Sequence, residues 1–146
     1  MRVGCRAVII KDHKIVLIYR ENKGRIYYVY PGGGLDQGET KEECVVRECK
    51  EELGINVVVK KHLYKLERKE GAQHFYLCEW IDGILGTGNE EEYADDRPGG
   101  IQKPIAIELS DINEIPLVPE IIKEEMLKDI KQHGKDMSNE VKLLIE

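Results

Sequence analysis

No stretch of about 18 apolar residues occurs in the 146-residue chain, which excludes a transmembrane helix. Basic charge is in deficit as well. The formal net charge is −6, and a surface that tracks nucleic-acid phosphates needs a clear basic excess. That disfavours a general nucleic-acid binder, although a small anion held by a few local cations and a metal stays compatible with it. Cysteine is sparse and scattered: Cys5, Cys44, Cys49 and Cys78 make no CxxC and no Cys/His cluster. Cys44 and Cys49 would lie roughly 140° apart on one helix, too far round to bridge. The four read as small buried apolar residues in a reducing cytosol. Internal repeats and low-complexity tracts are lacking too. The opening MRVGCRAVII turns polar at Lys11 and reads as a first strand rather than a signal peptide. The expectation is one cytoplasmic domain over residues 1–146, without membrane or long nucleic-acid partners. A homodimer is compatible with this on frequency alone.

CRAVII and KIVLIY are β-branched runs either side of KDH, the pattern of a hairpin. RIYYVY reads as a third strand, stopped by Pro31 and three glycines. From Thr40 to Leu53 the period becomes helical. Val46, Cys49 and Leu53 form an apolar stripe flanked by Val45. Thr40 with Glu43 is a capping-box signature, and Gly54 a C-terminal stop. INVVV to YKLER and QHFYLCEWI look like two long strands joined around KEGA. Residues 85–100 show no periodicity, and a loop that long is functional or disordered. KPIAIEL reads as a further strand, LSDINEI as a short turn or helix, and PEIIKEEMLKDIKQH as a second amphipathic helix beginning near Pro119. The final dozen residues give no local signal. Strands outnumber helices, so the expected class is α/β, a mixed sheet with helices packed on it.

RECKEELG places Glu48, Glu51 and Glu52 within five residues. On a helix, Glu48 and Glu52 sit roughly 40° apart, with Glu51 about 60° to the other side. Such crowding is unfavourable by a few tenths of a kcal/mol per pair, roughly, and more if buried. Arg47 pairs with Glu51 and Glu43 at helical spacing, but Glu48 and Glu52 have no cation on their own stripe. Carboxylate ligation without thiols suits Mg²⁺ or Mn²⁺. On the three glutamates alone, a solvated acidic face is the commoner explanation.

The surrounding residues change that balance. Gly33, Glu39, Arg47, Glu48, Glu51, Glu52, Gly54 and Ile55 fill G-x5-E-x7-R-E-U-x-E-E-x-G-U, with U a bulky apolar residue. A chance match is on the order of 10⁻⁸ per register. The stretch resembles the Nudix box, with Cys49 where a larger apolar side chain is usual. YVYPGGG and the strand order extend the resemblance more loosely over the chain. It implies an α/β/α sandwich that hydrolyses a nucleoside diphosphate linked to another moiety, using water and divalent cations. It further implies Glu48, Glu51 and Glu52 as metal ligands, Glu48 or Glu52 as the group that activates water, and the Gly33 carbonyl as a ligand. Arg47 would orient the glutamates, and Glu39 would be structural.

Outside the box, GTGNEEEY supplies Glu90, Glu91 and Glu92, of which Glu92 is the candidate for a further metal ligand; a solubilising acidic loop is the competing account. Arg20 is similar in position to a basic residue that contacts substrate phosphate in some relatives, and Arg6 is a second candidate. Tyr28 and Tyr30 share a strand face; Tyr28, or Trp80, could stack on a base, although core packing is the commoner fate. His62, His74 and His133 look isolated. Lys60, Lys61, Lys65, Arg68 and Lys69 read as a solvated strand face, with attraction of substrate anions the lesser alternative.

The expected function is Mg²⁺-dependent pyrophosphohydrolysis of a small nucleotide. ADP-ribose, a nucleotide sugar or dinucleotide competes with a nucleoside triphosphate, oxidised or not, as in MutT-like members. The alternative is a nucleotide-sensing Nudix module without turnover, against which the complete glutamate set counts. RNA 5′-end processing is disfavoured by the net acidity.

Overall fold

The computed structural model describes residues 2–88 and 100–146. Strands β1 (Arg2–Lys11) and β2 (Lys14–Asn22) form the expected hairpin. Its turn residues Asp12 and His13 both take positive φ, as a tight two-residue connection requires. The strands pair only at Ile10–Ile15 and Lys11–Lys14 and then splay. β1 continues between β4 (Gly32–Gly34) and β6 (Gly71–Gly83), antiparallel to the first and parallel to the second. β2 lies between β3 (Arg25–Val29) and β7 (Ile101–Glu108), antiparallel to both. β5 (Ile55–Arg68) pairs antiparallel with β6, and the two-residue β8 (Leu117–Val118) runs parallel to β3. A 3₁₀ turn, Leu109–Glu114, precedes β8.

Helices α1 (Lys41–Leu53) and α2 (Glu120–His133) cover opposite faces of this mixed sheet. Alternation along the strands explains how. Ala7 and Ile9 of β1, with Val16 of β2, meet Val45, Cys49 and Leu53 of α1. Val8, Leu17 and Phe75 meet Ile122 and Met126 of α2. The architecture is the expected α/β class. All four cysteines are buried free thiols.

Four details depart from the sequence reading. The glycines after Pro31 do not merely end β3; they form β4 at the edge of the sheet. The last residues contain β9 (Lys142–Ile145), parallel to β5 from Tyr64–Lys142 to Glu67–Ile145. Val46 is 37% exposed, and Cys44 joins Val45, Cys49 and Leu53 in the core, because Val46 lies about 100° round the helix from Val45. His62 and His74 are not isolated: His62 Nε2 is 3.1 Å from His74 Nδ1.

Candidate active site

The local sequence fixes α1 at both ends. Glu43 N–H donates to Thr40 Oγ1 at 3.1 Å, and Thr40 N–H donates to Glu43 Oε1 at 2.8 Å. Gly54, in the left-handed conformation, closes the other end by donating to Lys50 O at 3.0 Å. The helix is thus held with Glu48 and Glu52 over the glycines of β4. Gly32 N–H donates to Glu52 Oε1 at 2.7 Å. A Cβ on Gly33 would stand 2.7 Å from Glu48 Cδ and Oε1. At Gly32, φ is +148° and an added Cβ would run into the Cys5 carbonyl. Only glycine satisfies both approaches.

Arg47 ties the acidic groups together. Its Nε and Nη2 donate to Glu39 at 2.7 and 3.1 Å, and Nη1 donates to Glu48 Oε1 at 2.9 Å and Glu51 Oε2 at 3.2 Å. Nη2 also reaches Gly34 O at 3.2 Å. Glu39 accepts as well from Asp36 N–H at 3.0 Å. The Arg47 guanidinium, helped by that backbone bond, holds the Glu39 carboxyl down at about 2. Glu48 moves the other way: burial raises its pKa, and Arg47 opposes the rise. Glu48 therefore does have a cation, contrary to the helical-wheel expectation, because the long arginine side chain folds back along the helix.

Arg6 approaches from β1. Its Nη1 donates to Tyr30 O at 2.9 Å and Gly32 O at 3.3 Å. Burial lowers its pKa, while Glu52 and then Glu48 raise it. Arg6 also borders a cavity of ≈ 270 Å³ that reaches from Gly33 and Gly34 past Gln73 to Arg68. A smaller cavity of ≈ 90 Å³, walled by Tyr30 and Pro119, shares Arg6, Gln73 and Arg68. Small residues, Gly4 and Gly71 among them, keep the floor of this cleft open.

The glutamates, Arg47, Gly33 and Arg6 are thus brought together. The Gly33 carbonyl lies 3.8 Å from Cys44 Sγ, and within β4 the charged site side chains engage backbone groups of Gly32 and Gly34. Arg20 sits with its guanidinium 5.6 Å from the Tyr27 ring centroid. Tyr28 packs edge-on against Tyr19 with centroids 5.6 Å apart and supports the α2-side core. Among the described residues neither borders the cleft, whereas Arg6 does. Trp80 lies under Lys11, whose Nζ is 4.5 Å from the ring centroid. Glu90, Glu91 and Glu92 lie outside the described residues. Of the basic run Lys60, Lys61, Lys65, Arg68 and Lys69, only Arg68 borders this cleft among the described residues; it shares two-residue parity with Leu66 and Tyr64.

Residues 1–120 match the family model for the NUDIX domain. The chain belongs to the NUDIX family. Its relatives include an ADP-ribose pyrophosphatase of Methanocaldococcus jannaschii, 37% identical over 102 residues, 64% of this chain and 59% of that protein. The match therefore spans less than two thirds of that relative's length. Solved structures similar to this Nudix chain include an ADP-ribose pyrophosphatase of Streptococcus suis, with TM-score 0.70 and 19% identity over 97% of this chain and 98% of the other. A NUDIX hydrolase of Nitrosomonas europaea gives TM-score 0.73 and 12% identity over 99% and 79%. At these identities the structures establish the fold.

The donor set fits a hard divalent cation. It consists of carboxylate oxygens beside outward backbone carbonyls, at a strand where a Cβ would fill the space below Glu48. Among the described residues no three acidic, histidine or cysteine side chains converge closely enough to hold a metal ion by themselves. Mg²⁺ keeps several waters and is completed by substrate phosphates.

Proposed function

We propose that this Nudix chain is a Mg²⁺-dependent pyrophosphohydrolase that cleaves the phosphoanhydride of a nucleoside diphosphate linked to another moiety. The observation that carries the reading is the approach of Glu48 and Glu52 to the glycine strand, with Glu48 held by Arg47 and Glu52 by Gly32 N–H. Glu48, Glu51 and Glu52 would hold the metal, which when bound neutralises diphosphate oxygens and lowers the pKa of water. Arg47 orients Glu48 and Glu51 by charge-assisted hydrogen bonds, and the three carboxylates would draw together as cation and substrate bind. Arg6 offers its charge to the diphosphate at the mouth of the cleft, and Gly32 N–H keeps one Glu52 oxygen oriented. Whichever of Glu48 and Glu52 keeps an uncoordinated oxygen accepts the proton from attacking water. Mn²⁺ would be tolerated by the same oxygen donors. The archaeal relative, an ADP-ribose pyrophosphatase, makes ADP-ribose the first substrate to try. A cytoplasmic location fits four buried free thiols.

The test is Mg²⁺-dependent product release across ADP-ribose, nucleotide sugars, dinucleoside polyphosphates and nucleoside triphosphates, with Glu52→Gln alongside. Gln keeps an oxygen for Gly32 N–H, so the fold should persist while turnover falls at least a hundredfold. Turnover that survives Glu52→Gln would remove Glu52 from the proposed machinery, and no turnover of any compound by folded protein with Mg²⁺ would count for the nucleotide-sensing module instead.

A further inference from the structure

Arg6 stands at the glutamate end of the cleft, anchored to Tyr30 O and Gly32 O. Arg68 stands at the far end, across β6, and also borders both cavities. The two like charges sense each other, since Arg68 is among the groups that hold the Arg6 pKa down. Among the described residues, the larger cavity gathers the guanidinium groups of Arg2, Arg6 and Arg68 against the single carboxylate of Glu70, a basic balance suited to an extended anion.

Arg68 has a resident partner. Glu146 Oε1 lies 2.7 Å from Arg68 Nε, and the Glu146 N–H donates to Glu67 O at 3.0 Å as β9 runs out beside β5. The contact is an ion pair without an aligned hydrogen bond, and the Glu146 side chain is 46% exposed. A pair with one flexible, half-exposed member contributes little. A guanidinium meets a phosphate with two parallel, charge-assisted bonds. Glu146 lines neither cavity, so its carboxylate is a displaceable competitor that reaches the Arg68 guanidinium from outside the cleft.

We infer that Arg68 is a second phosphate receptor, occupied by Glu146 until substrate arrives, and that it selects nucleotides bearing a phosphate beyond the scissile anhydride over those ending in a neutral sugar. The inference rests on the pyrophosphohydrolase reading for its substrate class, but the receptor itself can be tested without turnover. The full chain, free of metal, would be titrated with inorganic phosphate at fixed ionic strength, by calorimetry and by the NMR signal of the Arg68 Nε–H. Removing the competitor with Glu146→Gln should tighten phosphate about two- to fivefold, the scale of a partly exposed ion pair. Arg68→Met, which keeps the apolar stem, should abolish it. With Mg²⁺, the ratio of kcat/KM for a nucleoside triphosphate over ADP-ribose should rise about two- to fivefold in Glu146→Gln and fall in Arg68→Met. Circular dichroism checks both folds, and the exposed Glu146 variant carries the test if Arg68→Met unfolds. Unchanged or weaker phosphate binding in Glu146→Gln overturns the inference even if every nucleotide is hydrolysed. Phosphate binding that follows both residues, without turnover of any nucleotide, supports the receptor and sinks the hydrolase reading alone.

Discussion

Gly33→Ala separates the site from the scaffold. The φ of Gly33 lies outside the left-handed region, so alanine is conformationally acceptable and slightly reduces the entropy of the unfolded chain. The obstacle is Glu48. An added Cβ would lie 2.7 Å from its Cδ and Oε1 and 2.9 Å from Oε2, so the carboxylate must withdraw by about 0.7 Å to reach ordinary contact. That group is the end of a flexible side chain, and moving it leaves the strands alone. The same movement strains the 2.9 Å bond from Arg47 Nη1 and exceeds the few tenths of an ångström, roughly ±0.2 Å, that metal–oxygen distances tolerate. Misplacement approaching 1 Å costs about a hundredfold in rate. The expected result is kcat/KM down about a hundredfold and a raised Mg²⁺ requirement. The melting temperature should stay within about 2 °C of the parent. Full activity at the parent Mg²⁺ concentration would refute the close approach of Gly33 and Glu48 as a functional constraint.

Acid titration should expose the buried imidazoles. Burial holds the His74 pKa at about 4 against an ordinary 6.5, so the fold prefers the neutral ring. Its contribution is complete above pH 6.5 and is lost as pH falls towards 4. At about 1.4 kcal/mol per pH unit the loss reaches about 3 kcal/mol. Urea midpoints measured from pH 7 to 4 should fall accordingly, and His74→Phe should flatten the curve. Asp129 is buried and accepts from Tyr64 Oη and Ser138 N–H, each at 2.9 Å. Asp129→Ala leaves both donors unmet, and urea unfolding should show a loss of about 2–4 kcal/mol; a loss under about 0.5 kcal/mol would contradict the burial of that network. Thr40→Ala removes the cap on α1, and the same assay should record about 1 kcal/mol.

The α1 end of the site was legible because its signals are local: capping residues, helical period and the spacing of the glutamates lie within one segment. β4 was not, since glycine disfavours strands and becomes one here only by pairing with β1. β9 is four residues long and depends on a partner about eighty positions away, which leaves no trace in its own composition. β5 misled for a different reason. It carries register irregularities at Asn56/Val57, Val59/Lys61 and His62/Tyr64, and each irregularity breaks the period of two. His62 therefore stacks on Tyr76, with centroids 4.5 Å apart, on the α1 side. Tyr64, two residues on, packs against Phe75 on the other.

The outward groups of β4 carry a further consequence. A sheet edge normally offers unpaired N–H and C=O groups to any passing strand. Here Glu52 takes the Gly32 N–H, Arg6 caps the Gly32 carbonyl, and Arg47 caps the Gly34 carbonyl. The residues assigned to chemistry thus also guard the sheet against self-association. Charge-removing substitutions at these three positions should reduce solubility in proportion to the edge groups they uncover, so a lost activity and a tendency to aggregate would share one cause.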